Sequence, residues 1–194
     1  MCGYVREVGR AAREFTSGSI YHVFSRGSNR QAIFLFDADR IDFLSCLERV
    51  LSRHRILCLS YCLLPNHYHL LLQCLDDSLS GAMKALNGRY SLRFNQRYTR
   101  DAHLFKNRFG AVEQETESQL LWTLRYIATN PVEAGLCARP HEWPWSSYRA
   151  SVGLSEPPPF LALRMMLSFL SDEPESGVAR YRELVEDSLL PGGV

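Results

Sequence analysis

The sequence predicts an α+β fold of the ferredoxin-like type, in which a four-stranded antiparallel sheet carries its helices on one face. Strand-like runs alternate with segments of helical periodicity in the order β-α-β-β-α-β-α. Only a Pro-Asn pair separates the second and third strands, which makes them an antiparallel hairpin. The length of 194 residues fits one domain with an appendage better than two full domains.

The first crossover is predicted from three consecutive segments. Ile20–Arg26 is apolar and aromatic and ends at a glycine turn, which predicts the first strand. Asp37 or Asp39 can cap a helix that extends to about Arg53, because apolar residues recur there at helical spacing. Ile56–Leu64 is apolar throughout, so we expect it to be a central strand.

The second crossover repeats this pattern. After the Pro-Asn turn, His67–Cys74 is predicted to return beside the second strand. A helix over about Leu79–Tyr98 and a fourth strand over roughly Lys106–Glu115 follow it.

The last helix of the domain is bounded by two local signals. Thr116–Gln119 matches a capping box, and Pro131 disfavours helical geometry in the residue before it, so a helix over Ser118–Asn130 is predicted. Its leucine, isoleucine and alanine residues form one continuous arc, whereas Tyr126 and Asn130 lie about 40° apart on another side. A tyrosine one turn from an amide and away from the core is placed to do chemistry. The alternative is a surface tyrosine that packs on a neighbour.

Three segments are expected along the chain: a lead-in over residues 1–19, the main domain over 20–150, and a helical, acidic extension over 151–194. A triple proline marks the last boundary, and short helices are expected at about Leu161–Leu170 and Glu175–Leu189. Neither a membrane span nor a signal peptide is expected, because the sequence has no sufficiently long apolar run. The six cysteines form no Cys-x-x-Cys pair and are expected to be buried thiols of a cytoplasmic protein.

The net charge of +1 hides an uneven distribution. Residues 84–108 contain seven basic residues and one acid, whereas residues 171–194 contain two basic residues and six acids. Arg89, Arg93 and Arg97 recur every four residues and form a stripe along one side of the predicted helix. The basic segment predicts a polyanion partner, although a solvated helix face fits the charge equally well. One hypothesis is that the acidic tail folds back over this segment and gates access to it.

The apolar run Leu63–Leu72 contains His67 and His69 one residue apart. Because side chains alternate along a strand, both imidazoles point to the same face, with Tyr68 opposite. Two neutral imidazole nitrogens on one face can hold a metal ion. The alternative is two histidines on a half-buried face, satisfied by carbonyl groups or water.

Several motifs, in this order, give the chain a family resemblance. They are Tyr21-His22-Val23 with Arg26-Gly27-Ser28-Asn29-Arg30, Leu64-Pro65-Asn66-His67-Tyr68-His69-Leu70-Leu71, His103-Leu104-Phe105 with Arg108-Phe109, Arg125-Tyr126-Ile127 with Asn130-Pro131-Val132-Glu133-Ala134-Gly135-Leu136, and Trp143-Pro144-Trp145-Ser146-Ser147-Tyr148. With these motifs, the chain resembles the HUH single-strand transposases of the insertion-sequence type, and most closely the REP-associated tyrosine transposases of bacteria. The resemblance spans about residues 20–150.

This resemblance implies a metal-dependent cleavage of DNA. Tyr126 is then the nucleophile, and His67, His69 and Asn130 are the ligands of a divalent ion. The resemblance implies Mg²⁺ or Mn²⁺, and two imidazoles with an amide should bind Mn²⁺ at least as well as Mg²⁺. The expected products are a 5′-phosphotyrosine and a free 3′-hydroxyl.

The implied partner is single-stranded or hairpin DNA of the REP type, bound in the bacterial cytoplasm at the nucleoid. Phosphate contacts are expected from the helix stripe and from basic residues near the first and fourth strands. The candidates are Arg89, Arg93, Arg97, Arg26, Arg30, Lys106 and Arg108. A monomer is favoured over a homodimer, because the tail resembles that of the REP-associated group, which is thought to act as monomers.

Two other functions remain open on the sequence. A domesticated hairpin-DNA-binding protein would keep the fold without cutting, but it would have no need of His67, His69, Tyr126 and Asn130 together. A metal-dependent hydrolase or RNA nuclease would cut even without Tyr126.

Overall fold

The computed structural model describes residues 15–187 and confirms the α+β class. The sheet consists of β1 (Ile20–Arg26), β2 (Ile56–Leu64), β3 (His67–Cys74) and β4 (Gly110–Glu113). The α-helices in this range are α1 (Asp37–Leu51), α2 (Leu79–Tyr98), α3 (Glu117–Glu133), α4 (Tyr148–Ser151), α5 (Leu163–Ser168) and α6 (Pro174–Glu186). Within residues 15–187, no helix combines the length and the apolar character that crossing a membrane requires.

The sheet has the strand order β2-β3-β1-β4, and all neighbouring strands are antiparallel. This is the arrangement of the predicted ferredoxin-like fold. The ladder between β1 and β3 is continuous, from Ile20 opposite Gln73 to Arg26 opposite His67. Directly opposed residues share a face of the sheet, so this register decides which side chains meet.

The helices cover both faces of the sheet, which corrects the expectation that they share one. α1 and α2 pack on the face that includes Val23, Tyr68 and Leu70. α3 packs on the opposite face, in a core that includes Leu64 and Leu71. The physical reason is that β2 and β3 are apolar on both sides, so both faces need a covering layer.

β2 lies at one end of the sheet, and not at its centre as its composition predicts. Its outer edge is covered by the chain beyond α3. The N–H of Leu63 donates to the carbonyl oxygen of Trp145 (2.8 Å), and the N–H of Ser147 donates to that of Tyr61 (2.9 Å). A strand covered on both faces and on both edges has the sequence of a central strand.

α3 begins one residue before its predicted start and ends three residues after its predicted end. The N–H of Gln119 donates to Oγ1 of Thr116 (3.2 Å), and the N–H of Thr116 donates to Oε1 of Gln119 (3.3 Å), which completes the capping box. The helix continues through Pro131 to Glu133, whereas the sequence predicts an end at Asn130. Pro131 removes one helical hydrogen bond, but bonding resumes after it, because the N–H of Ala134 donates to the carbonyl oxygen of Asn130 (2.9 Å).

Two other boundaries shift. β4 is shorter than the predicted Lys106–Glu115, because only four residues of β4 pair with β1. Before β4, Phe105 pairs with Gly27 as an isolated bridge. α1 ends at Leu51, two residues before the predicted end, which is within the ordinary uncertainty of helix boundaries.

The C-terminal extension forms part of the core on the α3 side of the sheet. Met166 of α5 and Tyr181 and Val185 of α6 are buried there. The hydroxyl of Tyr181 donates to the carbonyl oxygen of Leu124 in α3 (3.3 Å). The described part of the tail therefore packs on the face opposite α2, which contradicts the hypothesis that it covers the basic segment. Residues 188–194 lie outside the described part of the chain.

The cysteines behave largely as predicted. Cys46, Cys58, Cys62 and Cys74 are buried free thiols, and burial raises the pKa of Cys58 to about 12. They act as small apolar side chains. Cys137 is only partly buried, and Cys2 lies outside the described residues.

The turn after β1 has no room for a side chain at Gly27. A Cβ there would lie 2.2 Å from the backbone oxygen of Gln31 and 3.0 Å from Cγ2 of Ile33. We expect Gly27→Ala to lower the free energy of unfolding by about 1–3 kcal/mol in urea denaturation, because the backbone must shift.

Gly88→Ala is the matched control. Outside the backbone of α2, no atom lies within 4 Å of the added Cβ, so alanine should raise the free energy of unfolding by about 0.5–1 kcal/mol. Effects of the same sign in both variants would contradict the account of this turn.

Candidate active site

The two predicted histidine ligands lie on one face of the sheet with residues of β1. Arg26 is opposite His67 in the ladder, and Phe24 is opposite His69. The two imidazole rings are centred 5.0 Å apart and are nearly perpendicular. Tyr68, between them in sequence, is buried on the other face. The alternation of β3 therefore presents both imidazoles to the same side.

α3 brings the other two predicted residues to these histidines. The ring of Tyr126 is centred 5.3 Å from that of His69, and the side chain of Asn130 hydrogen-bonds to His67. Tyr126 is partly exposed, whereas Asn130 is buried. All four residues predicted as nucleophile and metal ligands thus come together in a single chain.

A pocket of about 620 Å³ opens beside this group, with His69, Tyr126 and Arg26 in its lining. The exposed Arg26 contributes a positive charge at the end of β1. A cleft of this volume is in the range that holds small ligands or parts of larger ones. The side chain of Tyr126 is therefore accessible next to a cation.

The pocket also contains two aromatic side chains that the sequence analysis missed. The ring of Trp122 stacks on that of Tyr126, with centroids 5.1 Å apart and planes at 7°, and Trp122 remains 53% exposed. The ring of Phe24 lies over Gly110, where a Cβ would come within 2.4 Å of it. Helical spacing could have indicated Trp122, which lies one turn before Tyr126. We see no sequence signal for Phe24.

His22 was also missed as a member of the site. It is buried, and its Nε2 lies 2.9 Å from Nδ1 of His69. The position of His22 in β1, on the same face as Phe24, could have indicated it once the strand register was known.

Burial disfavours the charged forms of these histidines. Burial is the largest cause that holds the pKa of His69 well below its ordinary value, and nearby His22, His67 and Arg26 lower it further. Burial and then Arg26 lower the pKa of His67, which its hydrogen bond with Asn130 partly offsets. Burial lowers the pKa of His22 to about 4. A neutral imidazole keeps a lone pair on one ring nitrogen, which is the form that binds metals.

The donor atoms fit a divalent ion. Nε2 of His69 is buried and has no hydrogen-bond partner, which is costly unless another group satisfies it. Within residues 15–187, no three or more His, Cys, Asp or Glu side chains form a group able to hold a metal. A metal centre of the predicted kind would use His67, His69 and the amide oxygen of Asn130, and two imidazoles with an amide leave positions open for a substrate oxygen.

The predicted arginine stripe of α2 is partly engaged with α1. Nη2 of Arg93 lies 2.8 Å from Oδ1 of Asp42, and Arg97 pairs with Asp39. Burial would raise the pKa of Asp39, but hydrogen bonds from backbone amides, Tyr98 and Arg97 outweigh it, so this pKa is lowered. Arg93 and Arg97 thus join two helices on the face opposite His67.

The other basic candidates are exposed and lie in different places. Lys106 and Arg108 line a second pocket, of about 980 Å³, between α2 and the loop before β4. Arg26 lines the pocket beside Tyr126. Arg30 lies in the turn after β1, and Arg89 is exposed on α2. The basic residues therefore do not form one continuous stripe.

The sequence and the fold agree with a known class of proteins. The family model of IS200-like transposases matches residues 15–130. The chain belongs to this family.

More specific similarities point to one branch of transposases. The chain is 25% identical, over 151 residues, to a Haemophilus influenzae protein assigned as a REP-associated tyrosine transposase, covering 72% of this chain and 85% of that protein. It also matches the solved structure of a REP-associated tyrosine transposase bound to a REP hairpin. That match has a TM-score of 0.64 and 18% identity, covering 80% of this chain and 92% of the other. The structural match shows a shared fold, and together the comparisons confirm the resemblance that the motifs indicate.

Proposed function

We propose that this chain is a metal-dependent tyrosine transposase that cleaves and rejoins single-stranded or hairpin DNA through a 5′-phosphotyrosine. The observation that carries the proposal is the placement of Tyr126 beside His69 in an open pocket, with Asn130 hydrogen-bonded to His67. Membership in the IS200-like transposase family supports the same chemistry. REP-type hairpins are the proposed substrate, because the structurally similar relative is bound to a REP hairpin.

Tyr126 supplies the nucleophile in this proposal. Its oxygen attacks the phosphorus of a phosphodiester, and the bond between phosphorus and the 3′ oxygen breaks. The phenol proton is released, and the leaving strand ends as a 3′-hydroxyl. Because the phosphotyrosine is still a diester, a second 3′-hydroxyl can attack its phosphorus and join two strands without a nucleotide cofactor. The bond between phosphorus and the tyrosine oxygen breaks in this step, and Tyr126 is released as the phenol.

The surrounding side chains hold and orient the reacting groups. His67, His69 and Asn130 would hold Mg²⁺ or Mn²⁺, and the ion would polarise the phosphate and orient it for in-line attack. Tyr126 and Asn130 project from the same helix, so their spacing is fixed by backbone geometry. Trp122 supports the ring of Tyr126 and offers its exposed face to a base beside the cleaved phosphate.

The basic side chains proposed to contact DNA differ in whether they already pair with carboxylates of this chain. Arg26 lies beside the nucleophile, and Lys106 and Arg108 lie in the pocket next to α2. Arg93 and Arg97 would reach DNA only by giving up contacts with buried carboxylates. We therefore assign the larger share of phosphate binding to the first group.

A single chain supplies every proposed catalytic residue. Tyr126 of α3 meets His69 of the same chain, so a second copy is not required to complete the site. This supports the proposal that the protein acts as a monomer.

The covalent intermediate is the sharpest test of this function. Wild-type protein incubated with labelled hairpin DNA and Mn²⁺ should give a protein–DNA adduct on a denaturing gel, and EDTA should abolish it. Tyr126→Phe should give no adduct. Tyr21→Phe is the matched control, because Tyr21 packs in the core with α1 and α2 on the other face, and it should keep the adduct.

Two outcomes would overturn the proposal. Hairpin DNA that is bound but never joined to wild-type protein would indicate a DNA-binding protein. Metal-dependent cutting that persists in Tyr126→Phe would indicate a hydrolase.

The salt dependence of DNA affinity tests the assignment of phosphate contacts. Arg26→Ala should weaken hairpin binding and reduce the slope of log K against log salt by about 1, because one phosphate contact is lost. Arg93→Ala is the matched control and should leave the slope unchanged. A larger change with Arg93→Ala than with Arg26→Ala would show that the α2 stripe is the main DNA contact.

A further inference from the structure

We propose that His22 is a positioning residue for the metal ligand His69. It accepts a hydrogen bond from Nδ1–H of His69 at its own Nε2, and so keeps the Nε2 lone pair of His69 available to a divalent ion. This inference rests on the proposed metal-dependent function and adds a residue to it.

The sheet register brings the two imidazoles together. His22 is opposite Leu71 in the ladder between β1 and β3, so His69 is its diagonal neighbour on the same face. Nε2 of His22 and Nδ1 of His69 are 2.9 Å apart, which is a hydrogen-bond distance. The side chains are 9% and 5% exposed, so water competes little for this contact.

The direction of this hydrogen bond decides what His69 can do. A neutral imidazole carries one proton, so either ring can be the donor. If His22 donates, the proton of His69 is on Nε2, and that buried N–H has no acceptor. If His69 donates from Nδ1, its Nε2 presents a lone pair, which a divalent ion can satisfy. The second direction is the one that agrees with a metal centre.

The neighbours of His22 fix its ring in this position. Its ring is centred 5.3 Å from that of Phe24 and 5.9 Å from that of Tyr126. Both neighbours are aromatic, and aromatic packing restricts the rotation of an imidazole. The acceptor atom is therefore held toward His69.

The tautomer of His69 can be observed without any metal. In metal-free wild-type protein with ¹⁵N-labelled histidine, two-bond ¹H–¹⁵N spectra at neutral pH should show the proton of His69 on Nδ1. His22→Phe keeps a ring and removes the acceptor, so the proton of His69 should move to Nε2 in part of the molecules. A wild-type His69 protonated on Nε2 would overturn the proposal.

Metal affinity supplies the second readout. Mn²⁺ binding, measured by the loss of the free-ion electron paramagnetic resonance signal, should weaken about 10–100-fold in His22→Phe. His22→Gln places an amide oxygen near the former Nε2 and should bind within about threefold of wild type. His141→Phe controls for the loss of a histidine, because His141 lies in the 3-10 turn Pro140–Glu142, and it should bind as wild type does.

The outcomes separate this inference from the proposed function. Wild-type affinity in His22→Phe would overturn the positioning role, and so would a His22→Gln that binds as weakly as His22→Phe. Failure of the wild type to bind Mn²⁺ would instead overturn the metal-dependent function, while the spectra would still test the hydrogen bond. Thermal unfolding of each metal-free variant tests whether it is folded. If His22→Phe does not fold, the wild-type spectra decide the proposal.

Discussion

The packing of α3 across the sheet is the interaction on which the rest of the site depends. Leu124 and Ile127 are fully buried in the core that α3 shares with Leu71 of β3. Each such side chain contributes about 1.5–3 kcal/mol when it is buried, so rotating the helix about its axis would expose several of them at once. The rotation that buries the apolar arc also turns Tyr126 and Asn130 toward the histidines of β3.

The alternation of side chains along β3 places a core residue and the two histidines on opposite faces of the sheet. Tyr68 faces the layer of α1 and α2, while His67 and His69 face α3. Placing imidazoles in that second layer has a cost, because burial disfavours their charged forms and leaves Nε2 of His69 without a partner. A metal ion would satisfy that atom, and neutral imidazoles are the form that it needs. The same burial that destabilises a protonated histidine thus favours the neutral form that a metal ligand would need.

Much of this arrangement could be predicted from the sequence, because it depends on local signals. The period of two places His67 with His69, the period of 3.6 places Tyr126 with Asn130, and the capping box fixes the start of α3. The face on which α3 packs could not be predicted this way. It depends on which side of the sheet is left uncovered, and that is a property of the assembled strands.

Contacts between segments far apart in sequence also explain where the structure differs from the predictions for β2 and α2. The composition of β2 predicts a central strand, because the segment around Trp145 that covers its edge lies far away in sequence. The basic residues of α2 look like a DNA-binding stripe until α1 brings Asp39 and Asp42 against Arg93 and Arg97. The contact between His22 and His69 depends on strand register, which no single strand encodes.

The central claim is that α3 and β3 of one chain build a metal centre next to a nucleophilic tyrosine. Anomalous diffraction from crystals soaked in Mn²⁺ tests it most directly. The account predicts a manganese peak within ligand distance of His67, His69 and the amide oxygen of Asn130, in the pocket that also holds Tyr126. A fully soaked crystal with no peak at these residues, or with its peak on other side chains, would contradict the account.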